Sequence, residues 1–114
     1  MRFAIPCEGR NVATEFQKAS HFAFLDANPS SGHVLREEIV HAPVYRGPAL
    51  SQWLADYGTD VLLTPDTAGL TPDRLTSRGI GVVVGGRGHD VKGVVESFLA
   101  DTLPVEPDLC ATQT

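Results

Sequence analysis

Gly79-Ile80-Gly81-Val82-Val83-Val84-Gly85-Gly86-Arg87-Gly88-His89-Asp90-Val91-Lys92-Gly93-Val94-Val95-Glu96-Ser97-Phe98-Leu99 is the stretch on which the fold turns. Its first part is short, uncharged and β-branched, the pattern of a strand buried on both faces. Its last part places Val91, Val94, Val95, Phe98 and Leu99 on one helical face, with Asp90 as N-cap. Between them, Gly85, Gly86, Arg87, Gly88 and His89 join strand to helix. Open α/β sheets place ligands at such a junction, beside the helix N-terminus. The junction is not a P-loop, because Arg87 and Gly88 stand where Lys and Ser/Thr would hold phosphate and Mg²⁺.

Working outward, the preceding elements read as neighbours of that strand. Asp60–Thr64 is a second short buried strand, and Thr71-Pro72 opens a short helix that ends at Gly79. Pro48 begins another helix, with Leu50, Trp53, Leu54 and Tyr57 on its apolar face and Gly58 as its stop. His21–Ala27 and His33–His41 alternate around the turn cluster Asn28-Pro29-Ser30-Ser31-Gly32 and read as a hairpin. Its second strand carries Arg36, Glu37 and Glu38, which suits a sheet edge, with Leu35 and Ile39 opposite Arg36 and Glu38. Phe3–Pro6 is a first strand stopped by Pro6, and residues 7–20 are an irregular loop. The helices between the last three strands require them to be parallel, with right-handed crossovers. The expectation is an α/β fold with a five-stranded mixed sheet of order 3-2-1-4-5 and about three helices. One domain should cover residues 1–103, and residues 104–114, with two prolines and no periodicity, should form a disordered tail.

Composition narrows the function classes. The 114 residues carry nine Lys and Arg against fourteen Asp and Glu, a net charge of −5. That balance argues against general nucleic-acid binding and against anionic membranes. No apolar run reaches the length of a membrane span, and cytoplasm is the expected compartment. Two cysteines, Cys7 and Cys110, do not form a disulfide framework.

The loops at the carboxyl ends of the parallel strands should bring Arg10, Lys18, Arg46 and Arg87 to one edge, with His21, His41 and His89. Cations beside a helix N-terminus suit a small anion. Candidate binding residues are therefore Lys18, Arg46, Gly85, Gly86, Arg87, Gly88 and His89. Cys7, near the mouth of the crevice, is a candidate soft metal ligand, although a small buried thiol is the commoner role of such a residue. The histidines have no ligand spacing, and His21 and His41 become neighbours only if the hairpin aligns its strand ends. Catalysis has little basis. The first strand carries no carboxylate, Asp26 and Asp60 are expected at opposite strand ends, and no nucleophile–base spacing is present.

Several of these residues, taken in order, resemble one family. Arg2-Phe3-Ala4-Ile5-Pro6 with Glu8-Gly9, then Phe16, Ala19 and Phe22, then Asp26, fall at its spacing. Leu54, Gly58, Asp60-Val61, Thr64, Leu75, Gly79-Ile80 and Val82–Gly86 continue the match. The pattern is similar to the dinitrogenase iron–molybdenum cofactor family, small carriers of metal–sulfur clusters, molybdenum–copper sulfide included. The resemblance implies a ribonuclease-H-like fold and a non-enzymatic domain that binds a molybdenum- or iron-containing sulfide cluster, with protein partners in cluster assembly. In the family's His-Phe-Gly-Arg-Ala motif, Glu15, Gln17 and Lys18 replace the His, Gly and Arg. The alternative reading is a regulatory or interaction domain that keeps the fold without the ligand site.

Overall fold

The computed structural model describes residues 1–42, 48–66, 72–86 and 88–100. Among the described residues six strands form one mixed sheet: β1 (Arg2–Glu8), β2 (Asn11–Val12), β3 (His21–Asn28), β4 (His33–His41), β5 (Val61–Thr64) and β6 (Gly81–Val84). The same residues hold three helices: α1 (Pro48–Asp56), α2 (Pro72–Thr76) and α3 (Val91–Leu99). The main path is β4-β3-β1-β5-β6, with β2 paired to β1. The expected count of five strands is thus corrected to six, and the expected numbering of the order changes with the inserted β2. β1 runs antiparallel to β3 and parallel to β5, and β5 runs parallel to β6. The expected tail lies outside the described residues.

The two-residue period of the strands divides the core. Phe3, Ile5 and Cys7 of β1 and Ala23, Leu25 and Ala27 of β3 face Val91, Val94 and Val95 of α3. Ala4, Phe22, Phe24 and Leu62 face Leu50 and Leu54 of α1 and Leu75 of α2. On that second face, Phe24 stacks on Tyr57 with ring centres 4.5 Å apart, and Trp53 closes over Phe22 at 5.3 Å. Among the described residues no helix is long and apolar enough to cross a membrane.

Pro6 does not stop β1. The N–H and C=O of a strand residue point to the same side, and Pro6 directs its carbonyl to Ala13 N at 3.0 Å. Its missing donor therefore falls on the β2 side, and the β1–β3 ladder continues through Pro6↔Phe22 to Cys7↔His21. The alternation expected in β4 also changes. A bulge at the Asp26/Ala27 step leaves Leu35 as an extra residue between Arg36 and Val34. Leu35 is consequently 66% exposed, whereas Val34 and Val40 pack against the two cores.

Asp26 and Asp60, expected apart, meet at Arg2, because antiparallel pairing returns the end of β3 to the start of β1. Arg2 donates to both carboxylate oxygens of Asp26 at 2.9 and 3.1 Å and to the Tyr57 carbonyl at 2.7 Å. Its main-chain N–H donates to Asp60 Oδ2 at 2.8 Å. The hydrogen bond from Arg2 holds the Asp26 carboxyl below the usual carboxylate range. A depressed folded pKa adds stability that is present above the unfolded value, near 3.8, and lost as pH falls through the folded value. Both side chains are 29% exposed, so solvent screens the pair in part. Asp26→Asn should cost about 1–2 kcal/mol at neutral pH, and the deficit should shrink at acid pH as the carboxylate takes its proton. Urea unfolding at both pH values measures this, and an equal deficit at both would refute the electrostatic origin.

Candidate functional site at the loop edge of the sheet

The carboxyl ends of β1, β5 and β6 open on one edge, where β3 begins at His21 and β4 ends at His41. Residues 7–20, expected to be irregular, are ordered by contacts with distant segments. Gly9 turns the chain at a φ of 63°, a left-handed conformation that glycine adopts without strain. β2 then folds back on Cys7 and Glu8. A 3₁₀ turn, Phe16–Lys18, follows and anchors Phe16 edge-on to Phe22 at 6.2 Å.

β2 is also stitched to the strand–helix junction. Val12 N donates to His89 O at 2.8 Å, Gly88 N to Val12 O at 3.0 Å, and Val91 N to Arg10 O at 2.9 Å. Gly85 N reaches Thr64 O at 2.9 Å and His89 N reaches Gly86 O at 3.0 Å. Asp90 caps α3 as expected, accepting from Gly93 N at 3.0 Å. Several of the N–H groups foreseen as an anion cradle thus serve the junction itself. Gly86, at φ 77°, lies so close to α3 that an added Cβ would sit 3.0 Å from both Val94 methyls. This glycine is required by packing. Gly88, at φ 79°, has open space around it.

The candidate cations are placed as follows. Lys18 is at the edge, and its ammonium pairs with Glu15 at 2.9 Å. That hydrogen bond and charge raise its pKa. Arg10 reaches sideways to Glu37 of β4 at 2.8 Å. Arg46 and Arg87 lie outside the described residues. Cys7 takes the place of a small buried thiol rather than of a ligand at the crevice mouth, and is fully enclosed in the α3-side core. Burial first, then the nearby carboxylates of Glu37 and Glu8, push its thiol up to about 11. At neutral pH it is a protonated thiol, not the thiolate that a soft metal takes. Among the described residues no cluster of three or more His, Cys, Asp or Glu is arranged to hold a metal ion.

The hairpin aligns its strand ends, so the conditional neighbours His21 and His41 are register partners, with ring centres 4.5 Å apart and planes tilted by 35°. One contact has no signal in the sequence. Asp66, just beyond β5, accepts from Phe16 N at 3.4 Å and ties the 3₁₀ turn to the next loop. No spacing announces that contact.

Fold and edge together describe a small single-sheet α/β domain in which β1, β5 and β6 end, and β3 begins, along one edge. The chain belongs to the dinitrogenase iron-molybdenum cofactor family, whose profile matches residues 1–101. Among solved structures it is similar to PH0822, at 28% identity and a TM-score of 0.76, over 96% of this chain and 98% of that one. It is also similar to the apo form of the orange protein from Desulfovibrio gigas, at 26% identity and a TM-score of 0.65, over 92% of each chain. A protein of Methanocaldococcus jannaschii, 12% identical with a TM-score of 0.67 over 93% of this chain and 94% of that one, shares the fold. No curated protein matches the chain.

Proposed function

We propose that this domain is a non-enzymatic carrier for a small anionic metal–sulfur cluster of the iron–molybdenum-cofactor kind. Family membership across residues 1–101 is the observation that carries the reading. The strand order is compatible with the ribonuclease-H-like fold implied by the sequence resemblance. The cluster is cargo, received from and passed to protein partners in cluster assembly. Its sulfides accept hydrogen bonds, and its negative charge attracts cations. Lys18 supplies a cation at this edge, and Arg46 and Arg87 are the further cations assigned to the cluster. Gly85, Gly86, Gly88 and His89 form the floor, with Gly88 leaving room for close approach. With Cys7 buried, attachment rests on charge and hydrogen bonds rather than on a thiolate.

Titrating the purified protein with tetrathiomolybdate and copper, or with isolated iron–molybdenum cofactor, tests this. A charge-transfer band that travels with the protein through gel filtration is expected. A charge-assisted hydrogen bond contributes roughly 1.5–3 kcal/mol, so Lys18→Ala and Arg87→Ala should each weaken binding about tenfold or more. Arg74→Ala on α2 and Lys92→Ala on α3 should change it little. Glu15→Gln, which releases the Lys18 ammonium, should strengthen it. Absence of any co-migrating band would leave an interaction domain without a ligand as the reading.

A further inference from the structure

His21 and His41 occupy directly opposed positions on β3 and β4. Paired residues project to the same sheet face, and opposed Cβ atoms in an antiparallel ladder lie about 4.5–5.5 Å apart. His21 is half-buried and His41 exposed. Ser20 Oγ lies 2.8 Å from His21 Nδ1. When Nδ1 carries the ring proton, Ser20 accepts it and the lone pair is left on Nε2. This is the outer contact that orients ligating histidines elsewhere.

We propose that His21 and His41 form a two-imidazole site for a late first-row divalent cation that accepts two cis nitrogen ligands, Cu²⁺ or Ni²⁺ in class. The spacing carries this assignment. A metal about 2.0–2.1 Å from a ring nitrogen lies roughly 3.2 Å from that ring's centre. Centres 4.5 Å apart then subtend about 90° at the metal. That is a cis angle of a tetragonal site, narrower than the tetrahedral angle zinc takes in structural sites. Turning the rings about χ2 brings both Nε2 atoms to the metal, and that torsion is soft. Water fills the remaining positions. The site differs from the anion-binding edge in charge preference and in residues, so it stands or falls independently of the carrier reading.

Aqueous Cu²⁺ alone, without sulfide, is the probe, and the chain supplies its own references. His33 lies at the far end of β4, and His89 in the junction before α3. Under substoichiometric Cu²⁺, paramagnetic broadening should remove the ring signals of His21 and His41 before those of His33 and His89. Calorimetric titration should show one site stronger than the rest. Holding two ligands together raises affinity over a single imidazole by effective concentration. His21→Ala and His41→Ala should therefore each weaken the strong site at least tenfold, and Ser20→Ala should weaken it less. His41 is exposed on an edge strand, so His41→Ala should keep the unfolding midpoint of the metal-free protein and decides the matter if His21→Ala perturbs folding. Equal broadening of all four histidines, or wild-type affinity in His41→Ala, would overturn the proposal.

Discussion

Phe3→Ala is expected to lower the unfolding free energy by about 3–5 kcal/mol, the largest effect of any single truncation considered. Phe3 has no exposed surface. It pairs with Leu25 of β3 on one side and Val61 of β5 on the other, so it sits where the antiparallel and parallel halves of the sheet join. Above it, Phe98 of α3 meets the ring edge-on at 5.7 Å. A cavity there cannot close readily, because hydrogen-bonded strands flank it and neither can shift without breaking a ladder. Total stabilities of such domains run about 5–15 kcal/mol, so the variant should approach the limit of folding. Phe3→Leu keeps most of the volume and should cost distinctly less. Urea unfolding with an unchanged m-value reads both. A loss below about 1 kcal/mol for the alanine variant would mean that β1 is not the central strand of the core.

Gly86→Ala is expected to cost about 2–5 kcal/mol by summing two separable effects. The positive φ of 77° disfavours any side chain by about 1–2 kcal/mol. The added methyl, 3.0 Å from both Val94 methyls and 3.5 Å from Leu63 Cδ2, forces a packed interface apart at about 1–3 kcal/mol. Two comparisons separate these contributions. Gly88→Ala, at φ 79° with nothing within 4 Å, should show the backbone part alone. Val94→Ala, combined with Gly86→Ala, should return most of the steric part, giving a coupling that independent sites would lack. Equal losses at Gly86 and Gly88 would show that the close approach of the junction to α3 has no energetic consequence. The comparison also bears on the candidate site, since it separates what the junction needs to fold from what it offers a ligand.

Much of the fold was legible wherever one element's own residues decide it. The α3 pattern Val91, Val94, Val95, its cap Asp90, the bounds of β4 and the edge character given by Arg36, Glu37 and Glu38 all follow from periodicity and local hydrogen bonding. The candidate site was legible only as a collection of loops. β2 is two residues long, below the reach of any periodicity, and is held by distant partners: Val12 bonds to His89 O and Gly88 N, and the adjacent Arg10 O accepts from Val91 N. Pro6 looked like a strand end because its missing donor is a local fact, whereas the side on which that donor would fall depends on β2.

The same division runs through the charged and polar residues. Composition gives Lys18, Arg10 and Cys7 their chemistry, and helix-linked parallel strands put the loops at one edge. Partner choice is a matter of register and packing. Lys18 turns to Glu15, Arg10 crosses to Glu37, and Cys7 goes under α3 because odd positions of β1 face that helix. His21 meets His41 rather than a neighbour one place along, because the β3–β4 ladder aligns them on the loop side of the bulge. Strand and helix content answers to forces within a few residues. Which side chains share a site answers to ladder registers, set by the burial of whole faces at once, and a slip of one residue would exchange every partner.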